Sequence, residues 1–545
     1  MKKNTPFKPT KKMPVRAVIA PTQTEINTLA ALYNQHQFAE AETAARALMQ
    51  RFPKHGFGWK VFGAVLQAVG RIDESLVAKQ TAADLSPNDA EAWSNLGNTY
   101  QEQNRFDDAE KCLRQAIKIS PNLAVAHNNL GITLEKLKRL NEAELCYQQA
   151  ISLRPDYTEA HYNYAITLQK LERFGEAEKS YRQAILIAPN HAKAHSNLGL
   201  VLKNKSQFVE SEQHFLTALQ LDPQFIDAHY NFGLLLMLLG RLKEGWAQYQ
   251  WFYHPQNTNL SKPNQPNLTA PQWNGEPLQG KTILIHSEQG FGDLIQLVRY
   301  AEKLKAIGAS VWVLVTNPLV ELFKTIPWID RVLDNGEQHQ TTFDFWVFPL
   351  ALPFWFQTTL ETVPLNLPYL FADETKVSWW RDWLNSHIQA GNKRVGLVWA
   401  GNPVHSNDAN RSIDFAELAA FSNVKNVTFV SLQLGEKAQK ELENCPGNVT
   451  ILDAAPHIND FTDTAALLSA LDLLITVDSA PAHLAGALNL PVWTLVTKVP
   501  DWRWLLERDD SIWYKSTRLF RQPESGNWAN VLRDVKMALE LCDGK

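Results

Sequence analysis

At 545 residues the chain exceeds what one hydrophobic core supports, and its 45% hydrophobic and 20% charged residues are those of an ordinary globular protein. A formal net charge of −4 gives no electrostatic case for nucleic acid or an anionic membrane as partner. Cys112, Cys146, Cys445 and Cys542 form no C-x-x-C pair, which argues against zinc and a disulfide framework and fits a reducing cytoplasm. The opening MKKNTPFKPTKKMPVRAVIAP is basic but lacks the continuous apolar core of a signal peptide, so residues 1–22 are expected to be a disordered basic tail. No apolar run reaches transmembrane length. Thirteen of the 18 tryptophans lie beyond residue 280, so the two halves are built differently.

The first half runs on a 34-residue period. Pro53, Pro87, Pro121, Pro155, Pro189 and Pro223 keep it, as do Trp59, Trp93, His127, His161, His195 and His229. Gly63, Gly97, Gly131, Gly199 and Gly233 follow the same step, with Ala165 in the one gap. Segments such as AHNNLGITLEKLKRL and NEAELCYQQAISLRP have helical apolar spacing, which predicts two antiparallel helices per unit, packed through small residues and closed by proline. Period, order and residue types resemble the tetratricopeptide repeat over residues 23–256, about seven units with degenerate ends. Four histidines on successive repeats stand on the order of 16–20 Å apart, too far to share one ion; they fit an aromatic slot between helices instead.

Asn95, Asn129, Asn163, Asn197 and Asn231 also keep the period. One reading is a tolerated polar residue on a solvated face. The other is an amide ladder, whose donors and acceptors hold an extended peptide backbone without reading its side chains. The arrangement is similar to the asparagine ladder in the repeat domain of O-linked N-acetylglucosamine transferases, and that resemblance implies an acceptor protein or peptide in the groove. Homo-oligomerisation through the repeats stays open.

A Pro- and Asn-rich stretch at 257–280 reads as a linker. Beyond it TILIHS, SVWVLVT, FDFWVF, RVGLVWA, VTFVSLQ, LLITVD and PVWTLVT read as strands alternating with helices, hence parallel sheets with right-handed crossovers. They fall in two clusters, 281–372 and 393–545, joined by a connecting helix over 373–392. The fold class expected is an all-α repeat superhelix followed by two facing Rossmann-like α/β domains, with a ligand cleft between the carboxyl ends of their sheets.

SEQGFGDLIQLVRYAEKL places Gly290, Gly292 and Asp293 where a strand becomes a helix. The glycines would allow a sharp turn close to a ligand. Asp293 reads either as a helix cap or as a carboxylate aimed into the cleft, its pKa held low by the helix dipole. DLLITVDSAPAHLAGALNLPVWTLV runs a buried strand into Asp478, Ser479 and Ala480, then a helix carrying His483. The amides from Ser479 onward make an anion site at a helix start, and His483 reads either as part of it or as a core histidine.

Together the two motifs resemble glycosyltransferase family 9, the heptosyltransferases that use an ADP-activated sugar, over about 280–510. That resemblance implies the GT-B arrangement, Asp293 as general base, and Gly290, Gly292, Asp478, Ser479, Ala480 and His483 on the donor side. Ala480 replaces the family's glycine. The family's phosphate-binding lysine before a Trp-Pro pair is absent, and Arg411, in the loop WAGNPVHSNDANRSI, takes its place as a bidentate partner for diphosphate. No Asp-x-Asp pair occurs in 280–545, so transfer without a metal or other cofactor is expected. Trp502 and Trp504 read as packed residues or as a stacking surface for a base or sugar, and Arg503 as a further phosphate contact.

The expected function is a cytoplasmic glycosyltransferase moving a sugar from a nucleotide-sugar to a protein acceptor held by the repeats. The alternatives are transfer to a glycolipid of the lipopolysaccharide type, and a non-enzymatic repeat scaffold with a degenerate GT-B half.

Overall fold

The computed structural model describes residues 20–257, 266–288, 290–334, 336–405, 407–445 and 449–542. The tail expected over 1–22 thus lies outside the described residues up to 19, as does the linker over 258–265. The chain divides into two compact units, Met1–Val201 and Leu202–Lys545.

The first unit is a stack of helix pairs. First helices begin at Gly56, Ala90, Ala124 and Thr158, second helices at Phe38, Ile72, Phe106, Leu140 and Phe174, each in 34-residue steps. Small residues set the closeness of each pair. A Cβ on Gly97 would stand 2.7 Å from Leu113 Cγ, and one on Gly131 would stand 2.6 Å from the Tyr147 ring. The periodic Trp and His share a task that size alone does not suggest. Trp93 Nε1 donates to the Pro87 carbonyl at 3.1 Å, and His127 and His161 Nε2 donate to the Pro121 and Pro155 carbonyls at 2.9 Å. Each ring N–H thereby ties a first helix to the turn that closes the preceding second helix.

The second unit opens with three helices on the same step, Phe208–Leu221, Ile226–Leu238 and Leu242–Tyr249. Two all-parallel sheets follow. The first holds β1 (Thr282–His286), β2 (Ser310–Leu314), β3 (Arg331–Leu333) and β4 (Phe345–Val347) in the order β3-β2-β1-β4. The second holds β5 (Lys393–Val398), β6 (Val427–Ser431), β7 (Ile451–Asp453), β8 (Leu473–Val477), β9 (Val492–Val496) and β10 (Thr517–Arg521), ordered β10-β9-β8-β5-β6-β7. The central strands are near-continuously apolar because helices cover both faces. Sequence reading missed β3, β7 and β10, all of them sheet edges, where short or charged runs such as RVL and TRLFR suffice. Strand order reverses between β1 and β4 and between β8 and β5, which leaves a crevice at the carboxyl end of each sheet. β1 runs into the Gly290–Asp293 turn, β8 into Asp478 and β5 into the loop carrying Arg411.

Behind the crevices the two α/β lobes are joined through a buried arginine. Arg299 donates to the carbonyls of Gln296, Pro364 and Trp513 and to the Tyr369 hydroxyl, at 2.7 to 3.0 Å.

Candidate active site

The two glycine-flagged stretches meet. A Cβ on Gly292 would lie 2.8 Å from His483 Cδ2 and 3.6 Å from the Ala480 Cα, so this glycine makes room for the other lobe rather than for a ligand. Gly290 is the N-cap of the helix Phe291–Leu297 with φ −63° and ψ 160°, an extended conformation open to any residue. The sharp glycine turn expected there is not what the backbone needs.

Asp293 lies in the first turn of that helix, and its carboxylate is paired with Arg503 from the opposite lobe. Burial raises its pKa above the usual carboxylate value, against the downward pull of Arg503. The dipole-lowered carboxyl expected from sequence is therefore corrected: desolvation outweighs a short helix's field. Arg503 is 8% exposed, and it also donates to Gln296 Oε1 at 2.6 Å and to Asp501 Oδ1 at 2.7 Å while lying over the Trp502 ring. It is thus committed to carboxylates, not left open as a phosphate contact.

Asp478 directly follows β8, its pKa pushed up to about 6, by burial first and then by Asp501, with Arg503 and Arg411 opposing. Arg411 donates to the Asp478 carbonyl at 3.0 Å and to Asp408 Oδ1 at 3.1 Å. Gly401 lets it lie there, since a Cβ would stand 2.5 Å from Arg411 Nη2. The expected row of amides at the next helix, Ala480–Ala487, is thinner than the spacing implied. Pro481 has no N–H, and that of Ala482 donates to the Ser479 carbonyl at 3.0 Å, leaving those of Ser479 and Ala480. The Ser479 hydroxyl lies 3.0 Å from that of Thr476.

His483 takes the packed reading. It is 4% exposed, its Nδ1 bonds the Tyr514 hydroxyl at 3.0 Å and its ring stacks on Trp504. Burial, then Arg503, holds its pKa well below the usual value, so the ring is neutral. Trp502 and Trp504 are 4% and 1% exposed, packed rather than presented for stacking on a ligand, and Trp502 meets Trp246 of the helix Leu242–Tyr249 edge-on at 5.0 Å.

Several polar groups escaped sequence reading. Glu288 accepts from the Tyr253 hydroxyl and the Leu350 N–H, both at 2.8 Å, and burial pushes its pKa to about 8. His405 stands within electrostatic reach of Arg411, Asp501 and Asp293. No local spacing marks these residues; Asp501 alone had a signal, as the cap of the short turn Trp502–Trp504. The cleft thus collects Asp293, Asp478 and Asp501 around Arg503, with Arg411 and His405 on the loop beyond. Among the described residues, no three His, Cys, Asp or Glu side chains form a metal-holding group, and no helix is long and apolar enough to cross a membrane.

The asparagines lie elsewhere. In the first unit Asn95 is exposed, while Asn129, Asn163 and Asn197 are half-buried. Asn163 Nδ2 donates to Asn128 Oδ1 at 3.1 Å and Asn197 Nδ2 to the Tyr162 hydroxyl at 3.2 Å, so part of each amide's capacity links neighbouring repeats. Asn231 falls in the second unit, on the helix Ile226–Leu238.

Residues 90–123 and 124–157 match one tetratricopeptide-repeat model and 158–191 another. Residues 412–513 match the model of glycosyltransferase family 9 (heptosyltransferase). The chain joins tetratricopeptide repeats to a family 9 glycosyltransferase segment. That segment contains the 478–483 turn, Asp501 and Arg503, while Asp293 and Arg411 precede it. The chain is also 27% identical over 330 residues to Protein FlbA of Caulobacter vibrioides, a match covering 56% of this chain and 53% of that one. It therefore spans about half the length of the curated relative it matches. Among solved structures it is similar to the APC/C hetero-tetramer Cut9-Hcn1, at 20% identity over 39% of this chain and 42% of that one, TM-score 0.37. It is also similar to pilF of Pseudomonas aeruginosa, at 16% identity over 38% and 93%, TM-score 0.35.

Proposed function

We propose that the protein is a glycosyltransferase that moves a sugar from a nucleotide-sugar donor to a polypeptide acceptor held by its repeats. The observation that carries this reading is the meeting of the two lobes at Asp293, with Gly292 against His483 of the 478–483 turn and the Asp293 carboxylate against Arg503. In the step proposed, the acceptor hydroxyl oxygen bonds to the anomeric carbon as the bond from that carbon to the diphosphate oxygen breaks. The diphosphate leaves with the electron pair, and the hydroxyl proton passes to the Asp293 carboxylate. Arg503 opposes the effect of burial on that carboxylate. Arg411 and the amides of Ser479 and Ala480 would meet the charge that develops on the departing diphosphate, with no metal required. Donor binding is measured by calorimetric titration with UDP-, GDP-, ADP- and CMP-sugars, and transfer by mass spectrometry of candidate acceptor proteins. Asp293→Ala should abolish transfer and leave donor binding intact; unchanged turnover would remove Asp293 from the mechanism.

One observation favours a second reading, a scaffold without catalysis. The carboxylate of Asp293 is already paired with Arg503, and His483 is sealed by its neighbours. Failure of every nucleotide-sugar in the panel to bind would favour that reading.

A further inference from the structure

Glu288 is an acid beside the cleft that the proposed step leaves unused. It stands between β1 and the helix Phe291–Leu297, in the segment that delivers Asp293. Its carboxyl is where three parts of the second unit meet. Oε1 accepts from the Leu350 N–H, just past β4, and Oε2 from the Tyr253 hydroxyl, both at 2.8 Å. Tyr253 closes the short turn Gln250–Tyr253, which follows directly on the helix Leu242–Tyr249. Its ring is 8% exposed and stacks on Phe348 at 5.2 Å and 18°. Trp246, Tyr249, Phe252 and Tyr253 share one hydrophobic core with Ile283, Leu284 and Ile285 of β1. The end of the solenoid is thus seated in the first α/β lobe, and the Tyr253 hydroxyl ties it to the segment ahead of Asp293.

The charges around Glu288 decide what that tie can hold. Tyr253 and Tyr249 face it from the end of the solenoid, Asp293 from the helix that follows, and Leu350 offers only its backbone N–H. Among the described residues no cation offsets its burial, so the carboxyl keeps its proton until about pH 8. Of the two acids, Asp293 alone has a counter-charge, in Arg503. Environments that push two neighbouring acids apart divide the roles between them: one stays neutral while the other is left to ionise.

We propose that Tyr253 and Glu288 form a positioning pair through which the end of the solenoid holds the helix that carries Asp293. The pair deepens the proposed function, and its consequence for catalysis rests on that reading: the last repeat sets the base as well as holding the acceptor.

The test is hydrogen exchange by mass spectrometry on the full chain without any nucleotide-sugar, read in the helix Phe291–Leu297 after correction for intrinsic rates. Glu288 is raised from about 4.3 in an opened chain to about 8 in the folded one. Protection is therefore present at low pH and falls by up to about tenfold per pH unit as pH rises toward 8, then levels. Glu288→Gln copies the protonated acid. Its protection should match the parent at about pH 5, stay flat, and exceed the parent at least about tenfold at pH 8. Tyr253→Phe keeps the ring on Phe348 but loses the hydroxyl. It should lower protection of this helix about threefold to tenfold, the worth of one hydrogen bond, and leave the helix Trp528–Cys542 as it was. Glu288→Ala should lower it at every pH, and if that variant does not fold the two conservative ones carry the test. An unchanged slope in Glu288→Gln, unchanged protection in Tyr253→Phe, or equal loss in Trp528–Cys542 would each overturn the proposal. The expected exchange pattern, found together with unchanged turnover in Asp293→Ala, would support the pair and remove the base.

Discussion

Arginine does two different jobs in the two units. In the solenoid Arg71, Arg105, Arg139 and Arg173 repeat every 34 residues, more than a third exposed, each clasping an acid three positions on. In the cleft Arg503 is nearly enclosed and holds Asp501 from two positions away and Asp293 from 210 positions away. Water screens the first kind of pair, and lost side-chain entropy offsets most of what remains. The second kind removes charge from water, so its partners cannot do without it. An ion pair's place, more than its existence, decides what it contributes.

Cutting one arginine of each kind should separate them most widely. Arg503→Met leaves Asp293 and Asp501 buried without their guanidinium and should cost about 3–5 kcal/mol. Urea unfolding followed by tryptophan fluorescence reports chiefly on the right region, since 13 of the 18 tryptophans lie beyond residue 280. Arg139→Met, measured by far-UV circular dichroism, should leave the solenoid transition where it was. Equal shifts in the two variants would erase the distinction.

The same contrast reverses the response to pH. Hydrogen bonds from Arg139 and Arg173 hold Glu142 and Glu176 below the usual carboxylate range, so their contribution is present above the unfolded pKa and lost as pH falls. Burial instead raises Asp478 to about 6 and Glu288 to about 8. There the folded state binds protons more tightly than the unfolded chain, so stability falls as pH rises through about 4 to 6 for Asp478 and onward to about 8 for Glu288. Hydrogen exchange read separately in the two units should show slopes of opposite sign, and Asp478→Asn should flatten the cleft's slope between about pH 4 and 6. Parallel slopes would contradict the assignment.

Glycine offers a subtler comparison, because both regions use it for close approach. Gly131→Ala drives a methyl into the Tyr147 ring, and Gly292→Ala drives one to 2.8 Å from the His483 ring. Each should cost about 1–3 kcal/mol. Only Gly292→Ala should also weaken any nucleotide-sugar binding, since it wedges the lobes apart at the cleft. Loss of binding with Gly131→Ala would mean the effect is general destabilisation.

These contrasts also explain what the sequence made legible. A solenoid contact recurs at a fixed offset, so the helix pairs, their small residues and their closing prolines print themselves as a period. Central strands show as apolar runs because both faces are covered, whereas β3, β7 and β10 need only one good neighbour and carry charge. In the cleft, local motifs marked the right stretches, Gly290 to Asp293 and Asp478 to His483. They did not reveal that Gly292 exists for His483, or that Asp293 answers to Arg503, because those contacts cross 191 and 210 residues of sequence. The dipole argument for Asp293 failed for the same reason: burial is set by the opposite lobe.

The smallest effect sharpens the histidine comparison. His127 and His483 are both at least half-buried, but His127 donates its Nε2–H to the Pro121 carbonyl at 2.9 Å, while His483 fills a gap between Gly292 and Trp504. If the solenoid ring is there to donate, the Trp that occupies the same step at Trp59 and Trp93 is its equivalent, and Phe, of similar volume, is not. His127→Phe should cost about 0.5–1.5 kcal/mol, the worth of one ordinary hydrogen bond. His127→Trp should cost less. Urea unfolding of the two variants, followed by circular dichroism of the helices, decides it. If Phe is tolerated as well as Trp, the slot selects aromatic bulk alone and the proline carbonyl finds its partner in water.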